Sequence, residues 1–172
     1  ERVSDSYKKM LNRQYRMVPD ICKFVSDYFY NGALICEKES NDKNSIWWID
    51  CENSEEEPVG RSYANCEEAD VIVRLVKKLD LMYQKGTTVG IICTYKAQVQ
   101  KILKLLEAVE TTNINLECST VDAFQGKEKH TIIFNIVRSA KVTDFMSDEN
   151  RVNVAVSRAQ EALYVIGKKE LV

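Results

Sequence analysis

The chain alternates strand-like segments with segments that carry apolar residues at helical spacing. The strand-like segments are residues 45–50, 88–93, 116–120, 131–137 and 163–166. The helical segments are residues 19–30, 65–79 and 97–109. When strands and helices alternate, each helix carries the chain back across the sheet, so neighbouring strands run parallel. The sequence therefore predicts an α/β fold with a mostly parallel central sheet covered by helices on both faces.

Local signals mark where the helices begin and end. Pro19 suits the first turn of a helix that ends near Asn31. Asn65, followed by Glu68 three residues later, is typical of a helix N-terminus. The acidic, polar run 52–60 between these helices predicts a surface loop whose charge serves solvation.

Residues 152–159 fit two kinds of secondary structure. The three valines of the segment alternate with other residues, as in a strand. The apolar residues that share one face of a helix are Val152, Ala155, Val156 and Ala159. Periodicity alone leaves both interpretations open.

Length and composition bound the function. The 172 residues make about one domain, which should bury roughly 70% of its unfolded surface. The 24 basic and 26 acidic residues give a net charge of -2, so overall charge does not predict nucleic-acid binding, and any such binding uses a local face. The sequence has no signal peptide and no apolar stretch of membrane-spanning length, which predicts a cytoplasmic or nuclear protein without a membrane partner.

Cysteine and histidine usage argues against a metal site. The six cysteines are widely spaced without a Cys-x-x-Cys pair, and His130 is the one histidine. Several cysteines lie in apolar runs, where we expect small buried side chains in a reducing compartment. His130 adjoins the charged Lys129, so we expect it at the surface and assign it no ligand or base role.

The sequence has the features of half a nucleotide site. A complete NTP-hydrolysing site needs a backbone cradle and lysine for the phosphates, normally Gly-x-x-x-x-Gly-Lys-Ser/Thr, and the chain contains no Gly-Lys-Ser/Thr. It does contain separated arginines beside small or polar residues, and such groups stabilise a transferring phosphoryl group from the opposite side of a cleft. We therefore expect a partner domain upstream. An opening at Glu1 without Met fits an excised fragment.

Three ordered segments carry a family resemblance. They are Asn-Arg-Gln-Tyr-Arg-Met at 12–17, Val-Asp-Ala-Phe-Gln-Gly-Lys-Glu at 121–128 and Arg-Val-Asn-Val-Ala-Val-Ser-Arg-Ala at 151–159. Together they resemble motifs IV, V and VI in the second RecA-like motor domain of superfamily 1B helicases, in the branch of senataxin and the helicase of nonsense-mediated decay. The resemblance implies one three-layer α/β/α RecA-like domain over 1–172 and a larger parent protein with the P-loop domain upstream. It also implies that residues 152–159 form a helix that carries Arg158 towards the nucleotide.

The resemblance also implies roles in ATP binding. Arg16 and Arg158 are the implied catalytic residues: Arg16 reaches the γ-phosphate and Arg158 is the arginine finger. Tyr15 stacks on adenine and Glu128 binds the ribose hydroxyls. The full implied ATP-binding set is Gln14, Tyr15, Gln125, Gly126 and Glu128. ATP would bind with Mg²⁺, whose ligands belong to the missing domain. Where the family usually has His after Met, this chain has Val18.

A second set of residues is implied to face a nucleic-acid strand. Residues 90–98 resemble the family's Thr-Pro-Tyr-x-x-Gln segment, and Thr94 also suits the cap of the helix that follows. Thr120 and Asp122 resemble motif V residues that face the nucleic acid or couple that face to ATP. Arg138 follows the predicted strand 131–137 and either touches the nucleic-acid backbone or is a solvated loop residue. Phosphate contacts do not separate RNA from DNA.

These features predict the second motor domain of an ATP-dependent RNA or DNA helicase that moves 5′ to 3′ on a single strand. Its partners are that strand and the N-terminal RecA-like domain of the same parent chain, and the isolated chain should hydrolyse little or no ATP. The alternative is a degenerate, non-catalytic helicase domain that serves as a nucleic-acid-binding or protein-docking scaffold.

Overall fold

The computed structural model describes residues 11–40, 44–140 and 148–171. Its helices are α1 Pro19–Phe29, α2 Cys66–Met82, α3 Lys96–Leu106 and α4 Glu149–Val156. Its strands are β1 Arg13–Gln14, β2 Ile35–Cys36, β3 Ile46–Asp50, β4 Glu57–Val59, β5 Ser62–Ala64, β6 Thr87–Cys93, β7 Ile114–Thr120, β8 Lys129–Asn135 and β9 Ala159–Gly167. Single 3-10 turns occupy Asp122–Phe124 and Lys169–Leu171.

Five parallel strands form the central sheet, in the order β3-β9-β8-β6-β7. This confirms the predicted α/β fold with its parallel sheet. The register aligns the strand ends: Cys93 of β6 lies opposite Thr120 of β7 and Asn135 of β8, and Lys129 of β8 lies opposite Ala159 of β9. We call the edge where β8 and β9 begin the amino edge, and the edge where β6, β7 and β8 end the carboxyl edge.

Helices cover both faces of the sheet, which gives three layers. On one face α1 and α4 pack with the segment after β7, and their core includes Ile21, Phe124 and Val156. On the other face α2 and α3 pack through residues such as Ile72 and Ile102. The predicted buried side of α3 is wrong at one position, because Leu103 is 46% exposed.

The predicted helix starts are confirmed. Pro19 occupies the first turn of α1, and the Asn65 side chain accepts a hydrogen bond of 3.1 Å from the Glu68 N–H at the start of α2. The ambiguous segment contains a helix followed by a strand: α4 ends at Val156 and β9 begins at Ala159. The helix interpretation is therefore confirmed as far as Val156, and the strand interpretation of the three valines is wrong. Arg158 lies in the turn after the helix and not on it.

The acidic run after β3 is not only a solvated loop, and the prediction for 52–60 is wrong in part. β4 and β5 form an antiparallel hairpin there. Glu56, just before the hairpin, has a side chain that is 10% exposed and forms a 2.7 Å ion pair with Arg138. It also accepts hydrogen bonds from the backbone N–H groups of Ser139 and Ala140. Burial alone would raise the pKa of Glu56, but the two backbone hydrogen bonds and the contact with Arg138 together lower it.

The segment between β7 and β8, residues 121–128, crosses the sheet without a long helix, and we call it the connector. It leaves β7 at the carboxyl edge and returns to the amino edge, where β8 begins. Phe124 is fully buried on the way and lies over Gly90 of β6, where an added Cβ would come within 2.5 Å of the Phe124 ring. The absence of a side chain at Gly90 therefore lets the connector lie close against the sheet.

The thiols and the histidine differ in environment. Cys22 and Cys93 are buried, as expected of small core side chains, whereas Cys66 is exposed. The surface prediction for His130 is wrong in part: its ring packs edge-on against Tyr83 at 5.2 Å, and burial lowers its pKa. Within the described residues, no cluster of three or more His, Cys, Asp or Glu side chains is arranged for a metal ion, and no helix has the length and apolarity to cross a membrane.

Candidate functional site

The predicted site residues divide between the two edges of the sheet. Glu128 directly precedes β8 and Arg158 directly precedes β9, so both lie at the amino edge. Thr94 directly follows β6, and Thr120 is the last residue of β7, so both lie at the carboxyl edge. The fold thereby separates the residues predicted to bind ATP from those predicted to bind a strand.

Arg16 and Glu128 form an ion pair at the amino edge. The Arg16 Nε lies 2.5 Å from a Glu128 carboxylate oxygen, and the Arg16 Nη1 donates to the Ser157 carbonyl oxygen at 3.1 Å. The hydrogen bond from Arg16 lowers the pKa of Glu128, with burial acting in the opposite direction. Both side chains keep a third or more of their surface exposed, so they remain accessible to a ligand. The structure thus brings residues from the first two motifs together.

Arg158 lies beside this pair. Its Nε donates to the Val154 carbonyl oxygen at 3.1 Å, and its Nη1 lies 3.5 Å from the Lys127 carbonyl oxygen. Burial and, after it, the neighbouring Arg16 guanidinium lower the pKa of Arg158. An arginine still stays charged. Two guanidinium groups close enough to repel each other form a natural binding site for a polyanion such as a triphosphate.

The two residues before Arg16 have different surroundings. Tyr15 is 72% exposed, and its ring is available for stacking. Gln14 is engaged in its own loop: its side-chain oxygen accepts from the N–H groups of Arg16 at 3.0 Å and Met17 at 2.7 Å, and its amide nitrogen donates to the Met17 carbonyl at 3.0 Å. Gln14 therefore shapes the loop that presents Arg16 and Tyr15, and a direct contact of Gln14 with ATP stays a prediction.

The end of the connector presents its backbone to solvent. Gly126 has a φ of +82°, a backbone conformation that residues other than glycine rarely adopt. A Cβ added at this position would meet no atom within 4 Å. Gln125 is exposed beside it. The backbone around Gly126 is therefore open to a ligand, although its contact with phosphates stays a prediction.

The carboxyl edge corrects the interpretation of Thr94. The Thr94 hydroxyl donates to the Ile136 carbonyl oxygen at 2.7 Å and does not cap α3. The residue at the N-cap of α3 is Tyr95, and the Ser62 hydroxyl of the β4–β5 hairpin accepts from the Ala97 N–H at 3.1 Å. Thr94 thus fixes the end of β6 to the segment after β8, which a local capping pattern does not indicate.

Thr120 and Asp122 lie where β7 passes into the connector. Thr120 is half-buried, and Asp122 is exposed. The Asp122 carboxylate lies 3.4 Å from Nη2 of Arg151, which is in the first turn of α4. This exposed ion pair joins the connector to α4 at the carboxyl end of the sheet.

Arg138 is not free at the surface, which corrects the expectation that it touches a strand. Its side chain is 8% exposed and pairs with Glu56. The guanidinium carbon lies 4.0 Å from the centre of the Tyr63 ring and 6.0 Å from that of Tyr95. Arg138 therefore fastens the β4–β5 hairpin to the end of β8, and its contacts are those of a structural residue.

Comparison with known proteins identifies the family of the chain. The family model described as AAA domain matches residues 1–170. The chain is 35% identical over 173 residues to the Mus musculus protein named probable helicase senataxin, and 34% identical over 182 residues to regulator of nonsense transcripts 1 of Caenorhabditis elegans. The chain is a superfamily 1 helicase domain of the AAA domain family. This confirms the family that the three motifs predicted for this helicase domain.

The helicase domain corresponds to a small part of these relatives. Its matched region covers 91% of the chain but 6% of senataxin, and 94% of the chain but 17% of regulator of nonsense transcripts 1. A third relative, the Mus musculus 5′-3′ DNA helicase ZGRF1, is 32% identical over 168 residues, which are 92% of the chain and 9% of that protein.

A solved structure supports the fold. The C-terminal domain of a possible DNA helicase from Lactobacillus plantarum WCFS1 superposes with a TM-score of 0.57 at 14% identity, covering 92% of this chain and 89% of that one. At this identity the likeness concerns the fold alone, and it agrees with the RecA-like arrangement of the helicase domain.

Sequence reasoning missed a buried polar network at the carboxyl edge of the helicase domain. Its centre is Glu68, which is fully buried in α2. One Glu68 carboxylate oxygen accepts from the Asn135 amide at 2.5 Å and from the Val137 N–H at 3.0 Å, and the other accepts from the Ser54 hydroxyl at 3.3 Å. Gln98 donates to Asn135 in turn, at 2.9 Å. The spacing of Asn65 and Glu68 predicts only a helix start, because sequence spacing does not show which side chain points into the core.

Burial raises the pKa of Glu68 to about 7, against the lowering effect of its hydrogen bonds. The unfolded chain loses this proton near its ordinary pKa of 4.5. Between those values the folded state holds a proton that the unfolded state has released, so the free energy of unfolding should fall as the pH rises from about 5 to 8, by about 2–3 kcal/mol in all. Denaturant unfolding of the chain at several pH values measures this slope.

Glu68→Gln should remove most of that pH dependence. A glutamine can accept from the Val137 N–H and donate to the Ser54 hydroxyl, so the neutral contacts are kept. The matched control is Glu67→Gln, which changes the exposed neighbouring carboxylate on the same helix and should leave the slope unchanged. Equal slopes in wild type and Glu68→Gln would contradict the assignment.

Proposed function

We propose that the chain is the second motor domain of an ATP-dependent helicase and contributes arginines to ATP bound against an upstream P-loop domain. The observation that supports this most directly is the meeting of Arg16, Glu128 and Arg158 at the amino edge, from three separate motifs. Because the chain lacks a Gly-Lys-Ser/Thr cradle, these groups make one side of a site whose other side lies on another domain.

The side chains at the amino edge suit the parts of an ATP molecule. The Arg16 guanidinium offers donors to phosphate oxygens, and the Glu128 carboxylate offers acceptors to ribose hydroxyls. In the structure these two groups form an ion pair with each other. Bound ATP would replace that ion pair with one partner for each residue, while Tyr15 would stack on the base. Mg²⁺ would neutralise phosphate charge from the upstream domain, because the described residues offer guanidinium donors here and no cluster of metal ligands.

The carboxyl edge is the proposed side of the nucleic acid. Thr94, Thr120 and Asp122 lie there, at the ends of β6 and β7. Arg138 is not part of this surface because it is buried against Glu56. The connector runs from this proposed nucleic-acid side to Glu128. One segment would therefore couple closure of the ATP cleft to movement along the nucleic acid.

The test is ATP turnover by the full-length protein with and without a single strand, beside the 172-residue chain alone. We expect strand-stimulated turnover in the full-length protein and none in the isolated chain, since the chain has one side of the site. Magnesium-dependent turnover by the isolated chain would contradict the proposal. A full-length protein that binds a strand but hydrolyses nothing would instead identify a non-catalytic scaffold.

A further inference from the structure

Lys38 holds two segments of the amino edge together. It follows β2, and its ammonium nitrogen donates to the Arg16 carbonyl oxygen at 3.0 Å and to the Gln160 carbonyl oxygen at 3.2 Å. The same nitrogen forms a 2.5 Å ion pair with Glu161. An ammonium group has three N–H donors, and this geometry supplies an acceptor for each of them.

The two carbonyls belong to the segments that carry the proposed catalytic arginines. One is the carbonyl of Arg16 itself. The other is that of Gln160, two residues after Arg158, which also accepts from the Val18 N–H at 2.9 Å. The Gln160 side chain donates to Glu128 at 2.9 Å. A single ammonium therefore fixes the backbone on both sides of the candidate site.

We propose that Lys38 is a positioning residue that sets the separation of Arg16 and Arg158 for ATP hydrolysis. This inference rests on the proposed function. Lys38 does not itself face the Arg16–Glu128 ion pair: its contacts are to backbone carbonyls and to Glu161, and its side chain is 24% exposed. Glu161 neutralises the charge of Lys38. Lys38 therefore acts by fixing the positions of its neighbours and not by attracting the nucleotide phosphates.

Removal of the ammonium should affect catalysis more than ATP binding. In Lys38→Met the aliphatic stem is kept, but the Arg16 carbonyl and Glu161 lose their partner. A guanidinium displaced by a fraction of an ångström can still bind phosphate but stabilises the reacting geometry less well. We expect strand-stimulated kcat to fall about 10-fold to 100-fold while KM for ATP changes less than about threefold.

The measurement uses the full-length protein with two comparison variants. Lys38→Arg retains donors for the carbonyls and Glu161 and should recover much of the lost kcat. Lys23→Met is the matched control: Lys23 is on α1, its side chain is 77% exposed, and it pairs with Asp27 on the same helix. We expect Lys23→Met to turn over ATP like wild type.

A double-mutant cycle tests whether Lys38 acts through Arg16. If it does, Lys38→Met should cost much less kcat in an Arg16→Ala background than in wild type. An equal loss in both backgrounds, or a kcat like that of wild type in Lys38→Met alone, would overturn the inference and leave the proposed function standing. A wild-type protein without ATP turnover would overturn the proposed function as well.

Amide exchange in the same full-length proteins gives a readout independent of turnover. The Val18 N–H donates to the carbonyl that Lys38 also contacts. Its exchange should be at least about tenfold faster in Lys38→Met, and near the wild-type rate in Lys38→Arg and Lys23→Met. Unchanged Val18 exchange in Lys38→Met would show that Lys38 does not hold these segments together and would overturn the inference even if kcat falls.

Discussion

Arg158→Ala is expected to lower strand-stimulated ATP turnover of the full-length protein on the order of 10³-fold. The physical reason is that a guanidinium supplied across a cleft stabilises the charge that develops on the transferring phosphoryl group. Arg158 is held for this by the Val154 and Lys127 carbonyls, beside Arg16. Single-strand binding should be nearly unchanged, since the amino edge is not the proposed strand side.

The matched control for this prediction is Arg74→Ala. Arg74 is an exposed arginine on α2, the helix that covers the opposite face of the sheet from α4. Its replacement should leave turnover within about twofold of wild type, because surface substitutions away from a site have small effects. Turnover by Arg158→Ala that matches Arg74→Ala would remove the arginine finger from the mechanism.

Gly90→Val is expected to destabilise the domain by about 3 kcal/mol or more, a large part of the stability of a typical domain. An added Cβ at Gly90 would lie 2.5 Å from the Phe124 ring, 2.9 Å from Ile132 and 3.1 Å from Lys129. Strands β7 and β8 flank Gly90 on both sides, so the backbone has little room to move away. Denaturant unfolding of wild type, Gly90→Ala and Gly90→Val should give a graded loss of stability.

Phe124→Leu is the variant that tests this cause. Leucine is shorter than phenylalanine and removes the ring atom closest to the added Cβ. Gly90→Ala should therefore cost less stability in the Phe124→Leu background than in wild type. Additive effects of the two substitutions would mean that the cost comes from the other neighbours or from the backbone of β6.

The sequence was sufficient for the layers of the fold, because burial on both faces makes parallel strands continuously apolar and helices periodic. It also indicated Arg16, Glu128 and Arg158, since their motifs are local in sequence. It did not resolve 152–159, where a helix and a strand meet within three residues. A stretch of sequence long enough to show a helical or strand-like hydrophobic period includes residues from both sides of such a junction, so neither period is clear.

The sequence also does not indicate several contacts between distant residues. Glu56 and Arg138 are 82 positions apart, and Lys38 reaches Gln160 across 122 positions. Each of these side chains is polar and adjoins polar residues, so local composition favours solvent exposure. Their burial depends on how the hairpin and β9 are placed in three dimensions, and no spacing rule carries that information.

The connector and α4 lie side by side on one face of the sheet and are joined near both ends. At the carboxyl edge Asp122 pairs with Arg151, and at the amino edge Arg158 contacts the Lys127 carbonyl. Between these two contacts, Phe124 packs closely over Gly90 and holds the connector against the sheet. The two segments therefore give the proposed ATP side and the proposed strand side a direct connection within the domain itself.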